Sequence, residues 1–200
     1  MPLYWRTGQR RNALEKERSI PTFITHAIVG AAAVKTLYPA DRSRLLIAAA
    51  MITAMLPDAD VLGFPLGVEY GDFFGHRGFF HSIFFALVVA VLCVQVVFRG
   101  PGRFSREWRN CALFFFAVGA THGLLDALTD GGLGIALLSP FDRTRYFFPW
   151  TPIPVSPIGL ADFLSAWGLH VLAWEAALVW LPAFAVVAAC MLIRRSASAR

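Results

Sequence analysis

Apolar residues fill this chain in long blocks, and polar residues collect in the gaps between them. The first block, Ile20 to Tyr38 ("IPTFITHAIVGAAAVKTLY"), is rich in Ala and Gly, which let helices approach closely. The second, Leu45 to Leu56, falls short of the roughly 20 residues needed to cross a bilayer. It is expected to be a short helix packed among the others and ended by Pro57, with a Gly-rich polar loop over 58–78. The third, Phe79 to Phe98, has the length of a full span. The fourth, Asn110 to about Thr129, is also long enough but carries His122 and Asp126. Residues 130–162 hold too much proline and glycine for a helix, and a fifth block runs from Leu164 to Ile193. The pattern predicts an all-α fold, an integral membrane helical bundle of about five helices, some short. Two long loops, 58–78 and 130–162, should come together on one side of it.

Composition moves the reading further toward the bilayer. The 200 residues are 57% hydrophobic and only 16% charged, where soluble domains carry about 25%. The net charge is +5, but the basic residues are scattered through short loops and tails, so no nucleic acid partner is expected and the lipid bilayer is. Cys93, Cys111 and Cys190 lie in or beside apolar stretches without metal-type spacing, which implies no disulfide framework. Residues 1–19 read as a polar, basic N-terminal extension, expected to be disordered, ahead of a membrane-embedded domain over 20–200. They show no apolar core with a cleavage site, so no cleavable signal is expected, and the block from Ile20 suits an uncleaved anchor.

The ionisable residues inside this apolar frame are not scattered. His26 opens the first block. Asp58 and Asp60 follow the second as "LPDAD", and His76 and His81 enter the third in "GHRGFFHS". His122 and Asp126 close the fourth as "THGLLDALT", at an i,i+4 spacing that puts both on one helix face. If the helices alternate up and down, all seven side chains meet on the side that carries the two loops. Taken singly, each has a bland explanation: a satisfied buried histidine, a helix stop at "PDAD", a polar loop with a cap at "HRGFFH", an Asp–His pair tying two helices. Taken together they are an imidazole and carboxylate donor set without thiolate. That set suits a divalent metal, Zn first and Mn or Fe otherwise. Seven ligands suit two ions roughly 3.5–4 Å apart, or one ion with outer carboxylates orienting the histidines. Either arrangement would bring the pKa of a bound water toward about 7 and supply hydroxide as a nucleophile. Asp58 and Asp126 are the candidate bridging or general-base carboxylates, and Arg77, Arg143 and Arg145 could hold an anionic oxygen of the substrate.

Other catalytic templates are missing. Ser82 beside His81 is not a triad arrangement, and no G-x-S-x-G, Walker loop or G-x-G-x-x-G occurs. His170 and Glu175 lie i,i+5 in the fifth block, where Glu175 is an intramembrane acid suited to an outer-ligand or helix-to-helix role.

With these motifs assembled, "PTFITHAIVG", "LPDAD", "GHRGFFHS", "THGLLDALTDGG" and "LLSPFDR" resemble the YdjM-like inner-membrane metal-dependent hydrolases. The likeness is clearest from Pro21 to Arg145 and weaker to the end. Members tend to begin near the equivalent of Pro21, which leaves the preceding residues outside the family pattern. The resemblance implies a membrane helical bundle, a metal site at His26, Asp58, Asp60, His76, His81, His122 and Asp126, and hydrolysis of an unnamed substrate. The leading expectation is therefore a multi-pass inner-membrane hydrolase acting on a phosphoester, on a lipid or another small molecule. The alternative is a non-catalytic metal-binding membrane protein, a regulator or assembly factor. The far-side loops and tail carry Arg42, Arg44, Arg99, Arg103, Arg106, Arg109, Arg194, Arg195 and Arg200, against Arg77, Arg143 and Arg145 on the site side. The positive-inside rule then turns the site toward the periplasm or exterior, although Arg6, Arg10, Arg11, Lys16 and Arg18 of the extension oppose that bias.

Overall fold

Serine starts most of the helices. In a computed structural model, which describes residues 19–20, 23–38, 43–98, 100, 102–157 and 163–198, there are five helices among the described residues. Helix α1 spans Phe23–Leu37, α2 Arg44–Met55, α3 Ile83–Val96 and α4 Arg106–Asp126. Helix α5 runs over Ala166–Glu175, a π-helical turn Ala176–Trp180 and Leu181–Ser198. Ser43, Ser82, Ser105 and Ser165 each accept a hydrogen bond from the backbone N–H three residues on, at Leu46, Phe85, Trp108 and Gly168. These caps satisfy N–H groups that the first turn leaves without partners. They set the helix starts more sharply than hydropathy does. Helix α4 begins at Arg106 rather than Asn110, because Ser105 caps it and the long basic side chains of its first turn can reach a polar rim. The N-terminal extension lies outside the described residues, apart from Ser19, which with Ile20 pairs antiparallel to Ser156–Pro157.

Two expectations need correction. The second block does not stop at Pro57. Helix α2 passes without a break into a 3₁₀ helix over Leu56–Leu66, so the stretch Arg44–Leu66 is one of two among the described residues long and apolar enough to cross a membrane. The other is Ala166–Ala197. Pro57 sits in the first turn of the 3₁₀ segment, and the N–H it lacks leaves the Ala54 carbonyl of the preceding turn free to accept from His122 Nδ1. The third block is not one full span. Phe79–His81 form a 3₁₀ turn, and the regular helix that follows has 14 residues, about 21 Å at 1.5 Å per residue against a hydrocarbon core of about 30 Å.

The helices alternate in direction. Helix α1 packs on α2, α3 on α4, α2 on α4, and α5 on α1. Their contact at one end is a dry cluster around Val34, Ala50, Ala90, Val94 and Phe115. Gly30 lets α1 and α2 touch backbone to backbone: a Cβ there would stand 2.6 Å from the Ala50 carbonyl oxygen. At the opposite end the two long loops meet. Ala136 N–H donates to the Arg77 carbonyl, Ile83 N–H to the Leu137 carbonyl, and Arg145 to the His76 and Tyr70 carbonyls. That end holds the polar cluster.

A buried histidine and aspartate cluster

All seven anticipated ligands converge, from five separate elements. His26 comes from the first turn of α1, and Asp58 and Asp60 come from the 3₁₀ continuation of α2. His76 comes from the 67–78 loop, His81 from the 3₁₀ turn before α3, and His122 and Asp126 from the last turns of α4. Each is buried, and Asp58 and Asp60, at 7%, are the most exposed of them.

Four of the seven form a compact quartet. His81 Nε2 lies 3.6 Å from Asp58 Oδ1 and 3.3 Å from Asp126 Oδ2, while His122 Nε2 lies 3.4 Å and 3.6 Å from the same two oxygens. Donor atoms roughly 2.0–2.1 Å from one ion stand about 3.3–3.4 Å apart in a tetrahedron, so this spacing is that of four ligands around one cation. Asp58 and Asp126 keep both carboxylate oxygens buried without a hydrogen-bond partner, as does Nε2 of His122. Buried charges left in this state cost several kcal/mol unless something compensates them.

The surroundings fix the tautomers. Nδ1–H of His122 donates to the Ala54 carbonyl at 2.7 Å, and a carbonyl can only accept, so Nε2 carries the lone pair. Nδ1–H of His76 donates to Asp60 Oδ1 at 2.7 Å, and Nδ1 of His81 lies 3.2 Å from Asp60 Oδ2. Asp60 thus holds His76 by a hydrogen bond and stands beside the Nδ1 of His81, whose Nε2 faces the quartet. Metal-ligating histidines are oriented in this manner by a carboxylate or a backbone carbonyl. His76, His81 and Asp60 also make a second group with ligand-compatible spacing. A neutral imidazole has a single lone-pair nitrogen, so His81 serves one group at a time. His26 lies outside both groups. Its ring stacks on His122 with centroids 3.8 Å apart, and its Nε2 is 3.2 Å from the other oxygen of Asp126.

The loop that delivers His76 and His81 departs from the simplest reading of its glycines. The left-handed residue is Arg77, at φ 61°, while Gly78 has φ −86°. Gly78 is instead needed for close approach: a Cβ there would stand 2.5 Å from the Phe73 carbonyl oxygen. A non-glycine residue in the left-handed region costs about 1–2 kcal/mol. The buried guanidinium of Arg77 offsets this by donating to the Gly131 carbonyl and to Thr129 Oγ1, with Nε 3.9 Å from Asp126 Oδ2. Arg143 lies over the Phe73 ring at 4.8 Å, and with Arg145 it lines a small cavity of about 90 Å³ beside Ser139. Tyr70, packed edge-on to His76, has its hydroxyl pushed up to about 12 by burial, so it stays protonated.

Some contributors escape sequence reasoning. The Ala54 carbonyl is invisible to it, as are Thr129 and Tyr70. Glu175 proves to be a helix-to-helix link: it accepts from Thr25 Oγ1, which in turn accepts from Trp180 Nε1 across the π-helical turn. His170 is exposed, stacked on Trp167.

Gly123 gives a first test of this packing. A Cβ at that position would stand 2.5 Å from the His81 carbonyl oxygen. Gly123→Ala is expected to shift the His81 backbone and lower stability by about 1–3 kcal/mol, the range for overpacking, measurable by thermal unfolding in detergent. Unchanged stability would mean that the α4 and His81 contact is looser than drawn.

A helical membrane domain with a buried His/Asp cluster that could hold a metal ion is what the fold and the geometry define. The chain belongs to the YdjM inner membrane protein family, whose model matches residues 21–199. It is similar to "Inner membrane protein YbcI" of Escherichia coli (strain K12), 44% identical over 163 residues, which cover 82% of this chain and 92% of that protein. No solved structure matches it. The family and this relative make the chain an inner membrane protein.

Proposed function

We propose that this chain is a membrane-embedded, metal-dependent hydrolase acting on a phosphoester. The observation that carries the reading is the quartet of Asp58, His81, His122 and Asp126, four buried donors at ligand spacing with the His122 tautomer set from outside. Asp58, His81 and His122 would hold one divalent cation and leave its fourth position to water, with Asp126 beside it, and the nitrogen and oxygen donor set suits Zn, Mn or Fe. When bound, such an ion supplies Lewis acidity and lowers the pKa of a coordinated water toward about 7. Asp60 bonds to His76 and stands beside His81, which favours one ion with an outer carboxylate over a bridged pair. Asp126 is suited to take the proton of the attacking water, because its second oxygen faces His26 Nε2 at 3.2 Å, a group able to share that proton. Asp58 is the other candidate base. Arg77 is held by Gly131 and Thr129, so its role is to position Asp126. Arg143 is assigned to the anionic oxygen of the substrate, and Arg145, which donates to the His76 and Tyr70 carbonyls, to positioning the loop beside it. The test is a screen of phosphoesters and lipids with purified protein. Hydrolysis should require a divalent metal, stop with a chelator and fall in the Asp126→Asn variant. Metal-independent turnover would sink the reading.

The complete burial of His76, His122 and Asp126 favours a second reading, a closed metal site with a regulatory or assembly role. A screen that finds stoichiometric metal and no turnover selects it.

For orientation, we propose that the cluster faces the periplasm or exterior, because the arginines of the far-side loops and tail mark the cytoplasmic face. A phosphatase reporter, active only outside the cytoplasm, should be silent when fused after Gly100 and active after Ser139, with or without residues 1–19. The reverse pattern in both versions would put the cluster on the cytoplasmic side.

A further inference from the structure

The 3₁₀ helix that carries Asp58 and Asp60 borders, with Phe80 and the start of α3, an open apolar groove of about 330 Å³. Ala59, Leu62 and Leu66 form one wall and Phe80 and Phe85 another, and Asp60 is the one charged residue among the described residues that line it. Ligand sites begin at about 300 Å³ and are lined mostly by apolar side chains. The volume and the lining are those of a ligand site.

Its mouth says which ligand. Leu62 is 70% exposed and Leu66 84%, and both belong to the stretch Arg44–Leu66, long and apolar enough to cross a membrane in an inner membrane protein. The rim is therefore continuous with the surface that meets lipid, and what lies against it is hydrocarbon. Asp60 borders the groove through its backbone, and its covered carboxylate turns to the other side, toward His76 and His81.

We infer that this groove binds one hydrocarbon chain of a membrane lipid, entering between Leu62 and Leu66, with the polar head of the lipid at the Asp60 end. The binding site stands on its own geometry. The consequence for chemistry, that the substrate class is an amphiphilic phosphoester rather than a water-soluble one, rests on the hydrolase reading above.

The test uses the full chain in vesicles of phosphatidylethanolamine and phosphatidylglycerol, doped with a phospholipid bearing a diazirine on one acyl chain. After photolysis, labelled residues are mapped by mass spectrometry. Labelling should concentrate on Leu62, Leu66, Phe80 and Phe85, about tenfold above Leu181 and Leu192 on α5, the worth of roughly two buried methylenes. Ala59→Trp fills the groove and should lower groove labelling about tenfold while leaving metal content unchanged. Should that variant fail to fold, Leu66→Glu at the mouth gives the same readout. Labelling spread evenly over exposed apolar residues overturns the site, as does groove labelling that neither variant reduces, or a groove kept unlabelled by a second copy of the chain. Concentrated labelling without hydrolysis of any lipid supports the site and removes the hydrolase reading. Hydrolysis of soluble phosphoesters at a rate untouched by Ala59→Trp, with an unlabelled groove, removes the site and keeps that reading.

Discussion

Purified protein is expected to carry at least one transition metal ion per chain, and the His81→Ala/His122→Ala double variant none above background, by elemental analysis. The two substitutions remove both imidazole members of the quartet and leave Asp58 and Asp126, two carboxylates, to hold a cation alone. His76→Ala should behave differently. That side chain bonds to Asp60 and packs edge-on against His81 without being one of the quartet, so its loss removes an outer contact, worth about 10–100-fold in metal affinity, without changing the stoichiometry at saturating metal. A fall in stoichiometry from two to one in His76→Ala would instead establish a second ion at Asp60, His76 and His81. His170→Ala, on an exposed ring stacked against Trp167, is the control and should keep its metal. Stoichiometric metal in the double variant would rule out the quartet as the site.

The convergence of these residues in one cluster was legible in the sequence because membrane depth makes ionisable residues conspicuous. His122 and Asp126 stand out in α4 on cost alone, and the alternation of helix direction brings His26, Asp58, Asp60, His76 and His81 to the same end. Their division of labour was not legible. That His81 joins the quartet through Nε2 while Asp60 stands beside its Nδ1 depends on the pitch of a 3₁₀ helix, and hydropathy suggested a loop there after Pro57. That Arg77 rather than Gly78 takes the left-handed conformation depends on partners some 50 residues away, at Thr129 and Gly131. Helix ends were misplaced for a simpler reason. Hydropathy averages over many residues, whereas a single cap such as Ser82 or Ser105 decides where the first turn forms.

Asp126→Asn is expected to cost at least about 10²-fold in turnover on whichever phosphoester the screen identifies, the low end for a lost general base. The substitution keeps the size and one oxygen of the side chain and removes its charge. Four contacts depend on that charge: His26 Nε2 at 3.2 Å on one oxygen, and His81 Nε2 at 3.3 Å, His122 Nε2 at 3.6 Å and Arg77 Nε at 3.9 Å on the other. An amide oxygen can still coordinate a cation, so a variant that has lost activity but kept its metal separates proton transfer from ligation. Asp58→Asn is the comparison. Asp58 faces the same two imidazoles but has no contact equivalent to that of His26 among those resolved in the cluster. If Asp126 is the base, Asp126→Asn should be the slower of the two at equal metal content. The reverse order would move the role to Asp58. Full activity in Asp126→Asn would end the assignment, because nothing else in the cluster offers a carboxylate both to the quartet and to His26.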